Sequence, residues 1–358
     1  MAHNYDIALF IGRFSPPHRG HLEVIKEGLS QAKHVVLLVG SANAPRSHRN
    51  PFTFDERKIM LYHSIPGHDR DRVLIYPLED STYNDAKWVG SVQTQVMAAA
   101  WKAGYTTPPR IALIGHSKDS SSYYLKMFPQ WGDHIEVPNY QNISSTQIRN
   151  AYFSNICDMW LNDCDGHKIG DLPQDKVVPS AVREFLEKFS KTVDYKNILN
   201  EYEFVKKYKL SWAAAPYAVT FVTVDSVVVQ SGHILLVRRK SAPGKGLLAL
   251  PGGFLNQDEF IQDAMIRELR EETCIKVPEP VLRGSIVARD VFDDPNRSSR
   301  GRTITHAFLI KLADDIRLPK VKGSDDADKA KWVPISKLKR EDFFEDHLDI
   351  IISMLGRI

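Results

Sequence analysis

Short apolar runs alternate with helical patterns through the first half of the chain, and this alternation limits the folds available to it. Four such runs occupy residues 5–11, 34–40, 72–78 and 110–115. Between them, residues 20–32 and 55–65 space their apolar side chains as amphipathic helices do. Strands that are apolar throughout and separated by helices are typical of a parallel sheet covered on both faces. In such sheets, ligands bind beyond the carboxyl ends of the strands.

The second half has a different pattern. Residues 194–212 are charged and helical, which suits a connector between domains. Strand patterns follow at 218–229 and 233–239, then a helix, then a further strand pattern at 305–312. We therefore predict an α/β protein in which an N-terminal parallel-sheet domain is joined to a C-terminal α+β domain.

The length and composition support two domains. At 358 residues the chain is too long for one typical domain. The predicted bounds are 1–192 for the first domain, 193–212 for a helical connector and 213–358 for the second domain. The formal net charge of +3 gives no support to a protein that coats nucleic acid.

Cysteine usage and hydropathy indicate the compartment. The three cysteines, Cys157, Cys164 and Cys274, have no spacing typical of zinc or of a disulfide framework, which favours a reducing environment. The N-terminus does not resemble a signal peptide, and no apolar run approaches the ~20 residues that span a bilayer. We predict a cytoplasmic protein with no nucleic-acid or membrane partner.

The stretch GRFSPPHRGH, residues 12–21, follows the first predicted strand and leads into a helix. The N–H groups and dipole at a helix N-terminus attract phosphate. Arg13, His18 and His21 add donors, and Gly12 lets backbone and ligand approach closely. A metal site would want a third ligand, and the neighbouring arginines would repel a cation. A structural turn that contains histidine by chance is the other alternative, but phosphate binding is favoured.

The stretch ISSTQIR, residues 143–149, offers a second cradle for an anion. Ser144, Ser145 and Thr146 are good helix N-cap residues, and Arg149 would lie one turn into the helix. Alone, the stretch is better explained by an ordinary Ser/Thr helix cap. Together with the histidine stretch at the other end of one parallel-sheet domain, it favours a phosphate site.

An acidic helix face stands out in the second half. Glu268, Glu271 and Glu272 are spaced i, i+3 and i+4, so the three carboxylates share one face. Such a cluster repels itself unless cations neutralise it, and carboxylate oxygens suit Mg²⁺ or Mn²⁺. A solvated acidic face is the simpler alternative, but it does not explain the glycines and Glu259 at fixed intervals before the cluster.

The two N-terminal stretches resemble the HxGH and ISSTxxR motifs of the nucleotidyltransferase superfamily, and within it the archaeal-type nicotinamide-mononucleotide (NMN) adenylyltransferases. The resemblance implies a Rossmann-like fold and in-line attack of the NMN phosphate on the α-phosphorus of ATP, which needs positioning and charge neutralisation. His18 and His21 would stabilise the triphosphate, and Arg149 and the Ser145 region the leaving pyrophosphate.

The same resemblance extends to other stretches of the first half. Arg49 matches an arginine of the family's ATP site, and Asn84 and Trp88 match residues that read the nicotinamide amide. The stretch GHSKD, which contains Lys118 and Asp119, would lie near the adenine.

The acidic helix lies within a segment that resembles the Nudix box, GX5EX7REUXEEXGU, counted from Gly253. The resemblance implies hydrolysis of ADP-ribose to AMP and ribose 5-phosphate with bound Mg²⁺ or Mn²⁺. The implied metal site comprises Gly252, Glu268, Glu271 and Glu272. Cys274 replaces the final box glycine, which usually supplies a left-handed helix cap, so we expect altered loop geometry with the chemistry intact.

Two loops after the box contain further candidates. Arg300 and Arg302 resemble the substrate loop of ADP-ribose pyrophosphatases and would hold phosphate or ribose, although exposed loop arginines are common. Asp325 or Asp326 would supply a further carboxylate, although acidic loops are also common.

From end to end the chain resembles bacterial bifunctional NMN adenylyltransferase/Nudix ADP-ribose pyrophosphatases. The implied partners are ATP, NMN, NAD and ADP-ribose, and a homo-oligomer is compatible with the sequence. The alternative is a transferase fused to a Nudix-type nucleotide sensor, which the complete set of box carboxylates disfavours.

Overall fold

The computed structural model describes residues 3–115, 126–154, 177–323 and 327–357. The chain divides into two compact units, Met1–Leu199 and Asn200–Ile358.

Unit 1 contains a five-stranded parallel sheet. Its strands are β1 Tyr5–Gly12, β2 Ala32–Val39, β3 Val73–Pro77, β4 Ile111–Gly115 and β5 Asp133–Glu136. They lie in the order β3-β2-β1-β4-β5, and all four neighbouring pairs are parallel. The chain runs from β1 outwards to β2 and β3, and β4 later returns to the other side of β1. This reversal beside β1 is where a ligand crevice forms at the carboxyl ends of such sheets.

Helices cover both faces of this sheet. Helices α1 Arg19–Gln31 and α2 Phe54–Ser64 pack on one face, and α3 Asp85–Lys102 packs on the other. Three further described helices follow in the chain, α4 Ser145–Phe153, α5 Ser180–Phe189 and α6 Val193–Ser211. The apolar side of α1, including Val24 and Leu29, packs with Ala8 and Leu37 of the sheet. The apolar side of α3 packs on the opposite face, where successive strand side chains point the other way. The sheet is therefore buried on both faces, as its apolar strands predict.

Unit 2 is built on a seven-stranded mixed sheet. Its strands are β6 Thr220–Gln230, β7 His233–Arg239, β8 Leu248–Ala249, β9 Gly252–Phe254, β10 Ile286–Phe292, β11 Arg302–Lys311 and β12 Ala327–Pro334. The main order is β10-β11-β6-β7-β12, with β8 paired to β7 and β9 paired to β6. Strands β6 and β11 are parallel, whereas the other pairs are antiparallel.

Three described helices pack on this sheet: α7 Ile261–Thr273, α8 Glu279–Gly284 and α9 His347–Leu355. Helix α7 buries Met265 and Leu269 against Val224, Val228 and Leu235. Helix α9 packs on β10 and β11. Helix α7 thus has one face committed to the core, and its acidic residues lie off that face.

The predicted fold class, a parallel-sheet α/β domain followed by an α+β domain, is confirmed. The predicted connector coincides with α6, Val193–Ser211, and the division between the two units falls inside that helix. The exact domain bounds stay a prediction. Within the described ranges, no helix combines the length and apolar character needed to cross a bilayer.

Two candidate active sites

A cavity of about 280 Å³ lies at the carboxyl end of β1 in unit 1. Seven predicted site residues line it: Arg13, His18, His21, Ser144, Ser145, Thr146 and Arg149. The GRFSPPHRGH and ISSTQIR stretches, more than a hundred positions apart in the chain, therefore form one site.

The two histidines form a stacked pair whose ring centroids are 3.6 Å apart. The backbone N–H of His18 donates to Nδ1 of His21 over 3.1 Å. Burial, and secondly the nearby His18, hold the pKa of His21 well below its ordinary value, so His21 is neutral at pH 7. Because Nδ1 accepts a hydrogen bond, the ring proton sits on Nε2, and His21 can donate one hydrogen bond to a ligand.

The ISSTQIR residues are bonded to the loop that carries the histidines. Ser145 Oγ donates to the Pro16 carbonyl over 3.0 Å. Arg149 Nη1 donates to the Ser15 carbonyl over 2.6 Å, and Nη2 donates to Thr146 Oγ1 over 3.1 Å. The two stretches therefore position each other as well as lining the cavity.

Ser144 is the N-cap of α4. Its hydroxyl accepts from the Gln147 N–H over 3.3 Å, and the Gln147 side chain accepts from the Ser144 N–H over 3.0 Å. The ordinary helix-cap interpretation of this stretch is therefore correct as well. It does not compete with anion binding, because the cap places the positive end of the α4 dipole at the cavity.

Positive charge is concentrated around the cavity. Burial, together with the charges of Arg13 and Arg49, lowers the pKa of Arg149 to about 10. Mutual repulsion among three guanidinium groups is relieved when an anion binds between them. The cavity is thus electrostatically suited to a polyanion.

Several predicted residues do not line this cavity. Gly12 lies against the Phe14 ring, where an added Cβ would be 3.1 Å from it. Asn84 is the N-cap of α3, and its side chain accepts from the Lys87 N–H over 2.9 Å. Trp88 packs against Phe128 with ring centroids 6.0 Å apart. The roles predicted for these residues and for Arg49 stay predictions, and Lys118 and Asp119 lie outside the described residues.

A second cavity, of about 330 Å³, lies in unit 2. The predicted residues Gly252, Gly253, Glu268, Glu272 and Arg300 line it. Ionisable side chains that were not predicted line it too: Asp225, Arg239, Lys240, Arg297, Glu345 and His347.

The box glycines allow β9 to pass between β6 and α7. A Cβ on Gly252 would overlap the Val224 carbonyl oxygen, and a Cβ on Gly253 would lie 2.6 Å from the Glu268 carboxylate. The Gly252 N–H donates to the Glu272 carboxylate over 2.9 Å. Glycine at position 252 is therefore required by close approach to the β6 backbone, and glycine at position 253 leaves room for the Glu268 carboxylate of the acidic helix.

Arg267 organises the box carboxylates. It binds Glu259 through two hydrogen bonds of 2.6 and 2.9 Å, Glu268 over 2.8 Å and Glu271 over 3.1 Å. The fixed interval between Glu259 and Arg267 is explained by this bidentate pair. Glu271 lies on the outer side of Arg267, half exposed, and does not line the cavity.

The carboxylates that line the cavity resist ionisation. Burial raises the pKa of Glu272 to about 8, and burial also raises the pKa of Glu268 and of Asp225. A divalent cation would stabilise their charged forms, and oxygen donors are what such a cation prefers. Within the ranges described above, no three His, Cys, Asp or Glu side chains already form a metal-binding group, so the predicted ligand set stays a prediction.

The two arginines that were predicted to lie in one loop differ, because Arg302 is the first residue of β11. Arg300 lines the cavity with its guanidinium 5.1 Å from the Phe254 ring centroid, and its buried Nε has no hydrogen-bond partner among the described atoms. Arg302 does not line the cavity and donates to the Asp293 carbonyl. Asp325 and Asp326 lie outside the described residues.

A buried ionic cluster at this cavity was not predicted from the sequence. Arg297 pairs with Asp346 over 2.9 Å and lies 4.0 Å from Asp225. His347 accepts from the Leu250 N–H over 3.1 Å, and burial lowers its pKa to about 3. No spacing links these positions along the chain. The one available signal was Asp225, an acidic residue in a strand whose other side chains are all uncharged.

Cys274 adopts the left-handed conformation that a glycine would supply, with φ of 46° and ψ of 33°. Its N–H donates to the Arg270 carbonyl over 2.9 Å, which ends α7. The expectation of altered loop geometry is therefore wrong, because the fold imposes this conformation on a non-glycine residue.

Known proteins are similar to both halves of the chain. A family model of the Nudix domain matches residues 219–353, and a cytidylyltransferase-like model matches residues 9–151. The nicotinamide/nicotinic acid mononucleotide adenylyltransferase of Acinetobacter baylyi is 33% identical over 56% of this chain and 95% of that protein. The ADP-ribose pyrophosphatase of Methanocaldococcus jannaschii is 33% identical over 48% of this chain and 87% of that protein.

A solved structure is similar to the whole chain. It is a bifunctional NMN adenylyltransferase/ADP ribose pyrophosphatase from Francisella tularensis, with 38% identity, a TM-score of 0.87, and coverage of 98% of this chain and 99% of that one. A second crystal structure, titled as that bifunctional protein complexed with AMP and Mn ion, has 37% identity and a TM-score of 0.85. The chain belongs to the family of bifunctional NMN adenylyltransferase/ADP-ribose pyrophosphatases.

Proposed function

We propose that the cavity of unit 1 transfers an adenylyl group from ATP to NMN, giving NAD and pyrophosphate. An oxygen of the NMN phosphate attacks the α-phosphorus of ATP and forms the new P–O bond. The bond from the α-phosphorus to the bridging oxygen breaks, and pyrophosphate leaves with the electron pair. No covalent enzyme intermediate is required, so the protein contributes positioning and charge neutralisation.

The residues of this cavity supply both contributions. His21 donates its Nε2–H to a phosphate oxygen, while its Nδ1 is held by the His18 N–H. Arg13 and the α4 N-terminus face the same cavity and neutralise developing negative charge on the leaving group. Arg149 contributes charge and also fixes the loop through the Ser15 carbonyl.

We propose that the cavity of unit 2 hydrolyses ADP-ribose to AMP and ribose 5-phosphate. Water attacks one phosphorus of the diphosphate, and the bridging P–O bond breaks. Glu268 and Glu272, with the Gly252 backbone and the neighbouring Glu271, would hold Mg²⁺ or Mn²⁺, which activates water and offsets diphosphate charge. Arg300 and Arg297, also at the cavity, would bind the diphosphate or ribose 5-phosphate portion.

One observation supports the proposal most strongly. Residues from each motif converge on a cavity within their own unit. For unit 1, this joins residues near position 18 to residues near position 145. Chance resemblance of two short stretches would not place them around one basic cavity.

Isotope tracing tests both reactions in the wild-type protein. With NMN and ATP labelled at the α-phosphorus, the label should appear in NAD, and unlabelled pyrophosphate should be released. With ADP-ribose in ¹⁸O-water, one ¹⁸O should enter either AMP or ribose 5-phosphate, and a chelator should stop the reaction. Label that stays in ATP would refute the transferase. Tight binding of ADP-ribose with no turnover at any divalent-cation concentration would replace the hydrolase with a nucleotide sensor.

A further inference from the structure

A fully buried arginine joins the carboxyl ends of β1 and β2, beside the cavity of unit 1. Arg57 lies on α2 and has 0% exposure. Its hydrogen bonds go to four backbone carbonyls, those of Arg13, Gly40, Ser41 and Thr53, at 2.7, 2.7, 3.1 and 3.2 Å. Arg57 lies outside both the GRFSPPHRGH stretch and the ISSTQIR stretch, so neither motif indicates it.

The carbonyls that Arg57 binds belong to the segments that leave the sheet. Arg13 follows the last residue of β1, and Gly40 follows the last residue of β2. The same two turns are also joined by a hydrogen bond of 2.9 Å from the Gly40 N–H to the Gly12 carbonyl. Arg57 therefore fixes the point at which the GRFSPPHRGH stretch departs from β1.

A buried guanidinium constrains its surroundings strongly. Removing a charged group from water is costly unless its donors are satisfied, so the carbonyls cannot withdraw from Arg57 without a large penalty. Burial lowers the pKa of Arg57 to about 10, which still leaves it charged at neutral pH. The Asp80 carboxylate lies nearby and accepts from the Ser41 N–H over 3.3 Å, which fixes the second turn from its other side.

We propose that Arg57 is a positioning residue for adenylyl transfer, which holds the Arg13 backbone so that the Arg13 side chain stays in the cavity. Arg57 itself does not line the cavity, whereas Arg13 does. The inference rests on the proposed transferase function. A lysine at position 57 keeps the charge but offers a single nitrogen, which cannot bind the carbonyls after β1, after β2 and before α2 together.

Arg72 provides a matched control. It also donates to several backbone carbonyls, those of Leu29, Ala32 and Lys33, at 2.7, 3.0 and 3.0 Å. Leu29 lies in the last turn of α1, and Ala32 and Lys33 begin β2, so these carbonyls lie at the amino end of β2, opposite the carboxyl end where the cavity is. Arg72→Lys therefore removes a similar clamp without touching the segments at the site.

The test compares wild type, Arg57→Lys and Arg72→Lys in the full chain. Because a displaced Arg13 weakens triphosphate binding, we expect Arg57→Lys to raise the KM for ATP and lower kcat, each by about 10-fold or more, with ADP-ribose hydrolysis unchanged. Partial unfolding would lower kcat without raising KM. Arg72→Lys should keep wild-type kinetic constants. Wild-type constants in Arg57→Lys, or equal losses in both variants, would overturn the positioning role.

Calorimetry with inorganic tripolyphosphate separates this inference from the proposed function. Arg57→Lys should bind tripolyphosphate about 10-fold more weakly than wild type, and Arg72→Lys should bind it equally well. A wild-type protein that makes no NAD would refute the proposed transferase. The tripolyphosphate affinities would then still support or overturn the role of Arg57 in holding the anion site.

Discussion

At the scale of single residues, His21 illustrates how the fold selects one chemical form of a side chain. The His18 N–H occupies Nδ1, and burial keeps the ring neutral, so the Nε2 proton is the group that His21 can offer to a ligand. Sequence spacing predicted this histidine to be a phosphate ligand. It could not identify the tautomer, because that depends on a backbone N–H placed by the turn before α1.

Substitution of His21 by glutamine or by asparagine distinguishes the roles of its two ring nitrogens. A glutamine amide reaches the Nε2 position and keeps a donor there, whereas an asparagine keeps an acceptor near Nδ1 and has no donor at the cavity. We expect His21→Asn to lose about 10²–10³-fold in kcat for NAD synthesis, and His21→Gln to lose much less. Steady-state kinetics of both variants is the measurement. The opposite order would mean that the acceptor at Nδ1, not the donor, serves the reaction.

Glu272 gives the metal-free protein a specific pH dependence. Its folded-state pKa, raised by burial to about 8, exceeds the ordinary value of 4.5, so folding favours the protonated form. The contribution of this group to stability is present below about pH 4.5 and is lost as the pH rises through about 8. Glutamine at this position stays neutral and can still accept from the Gly252 N–H.

We therefore predict that, in excess chelator, Glu272→Gln becomes progressively more stable than wild type between about pH 4.5 and about pH 8, and that the difference stays constant above that range. Denaturant unfolding at several pH values measures the difference in the free energy of unfolding. Glu341→Gln is a suitable control, because this side chain is 61% exposed. A difference between Glu272→Gln and wild type that does not change with pH would show that Glu272 ionises normally.

At the scale of helices and strands, the sequence predicted those elements that show a clear period. The first predicted strand and helix, 5–11 and 20–32, differ by one residue at their ends from β1 and α1. Strand β9 was missed because its three residues, Gly252–Phe254, are too few to show alternation. Gly252 allows close approach to the Val224 carbonyl and Gly253 allows close approach to Glu268, and both are tertiary requirements.

The left-handed conformation at the end of α7 costs free energy of folding, and this cost can be measured. Cys274 holds a left-handed conformation, which disfavours any residue with a Cβ. Glycine relieves this strain but gains freedom in the unfolded chain, so we expect Cys274→Gly to stabilise unit 2 by about 0.5–1 kcal/mol. Denaturant unfolding, monitored with a probe in unit 2, would measure this gain in the free energy of unfolding.

Cys274→Ala is the control, since it removes the thiol and keeps the Cβ. If alanine stabilised the protein as much as glycine, the thiol and not the backbone conformation would be the source of the effect.

At the scale of the whole molecule, composition and pattern were sufficient to predict two domains of different fold class and one site in each. They were not sufficient for the charged residues that complete the sites. Arg57 reads as an ordinary polar position on α2, and Arg297 as one of several loop arginines, yet both are buried. Only the folded chain brings backbone carbonyls to Arg57 and the Asp346 carboxylate to Arg297.

The central claim is that one chain performs two reactions at two independent sites. The most direct test measures NAD synthesis and ADP-ribose hydrolysis in His21→Ala and Glu272→Gln, with His63→Ala and Glu341→Gln, both at exposed positions, as controls. Circular dichroism confirms folding. We predict that His21→Ala loses about 10²–10³-fold in NAD synthesis alone, and that Glu272→Gln loses as much in ADP-ribose hydrolysis alone. A parallel loss of both activities in either folded variant would contradict independent sites.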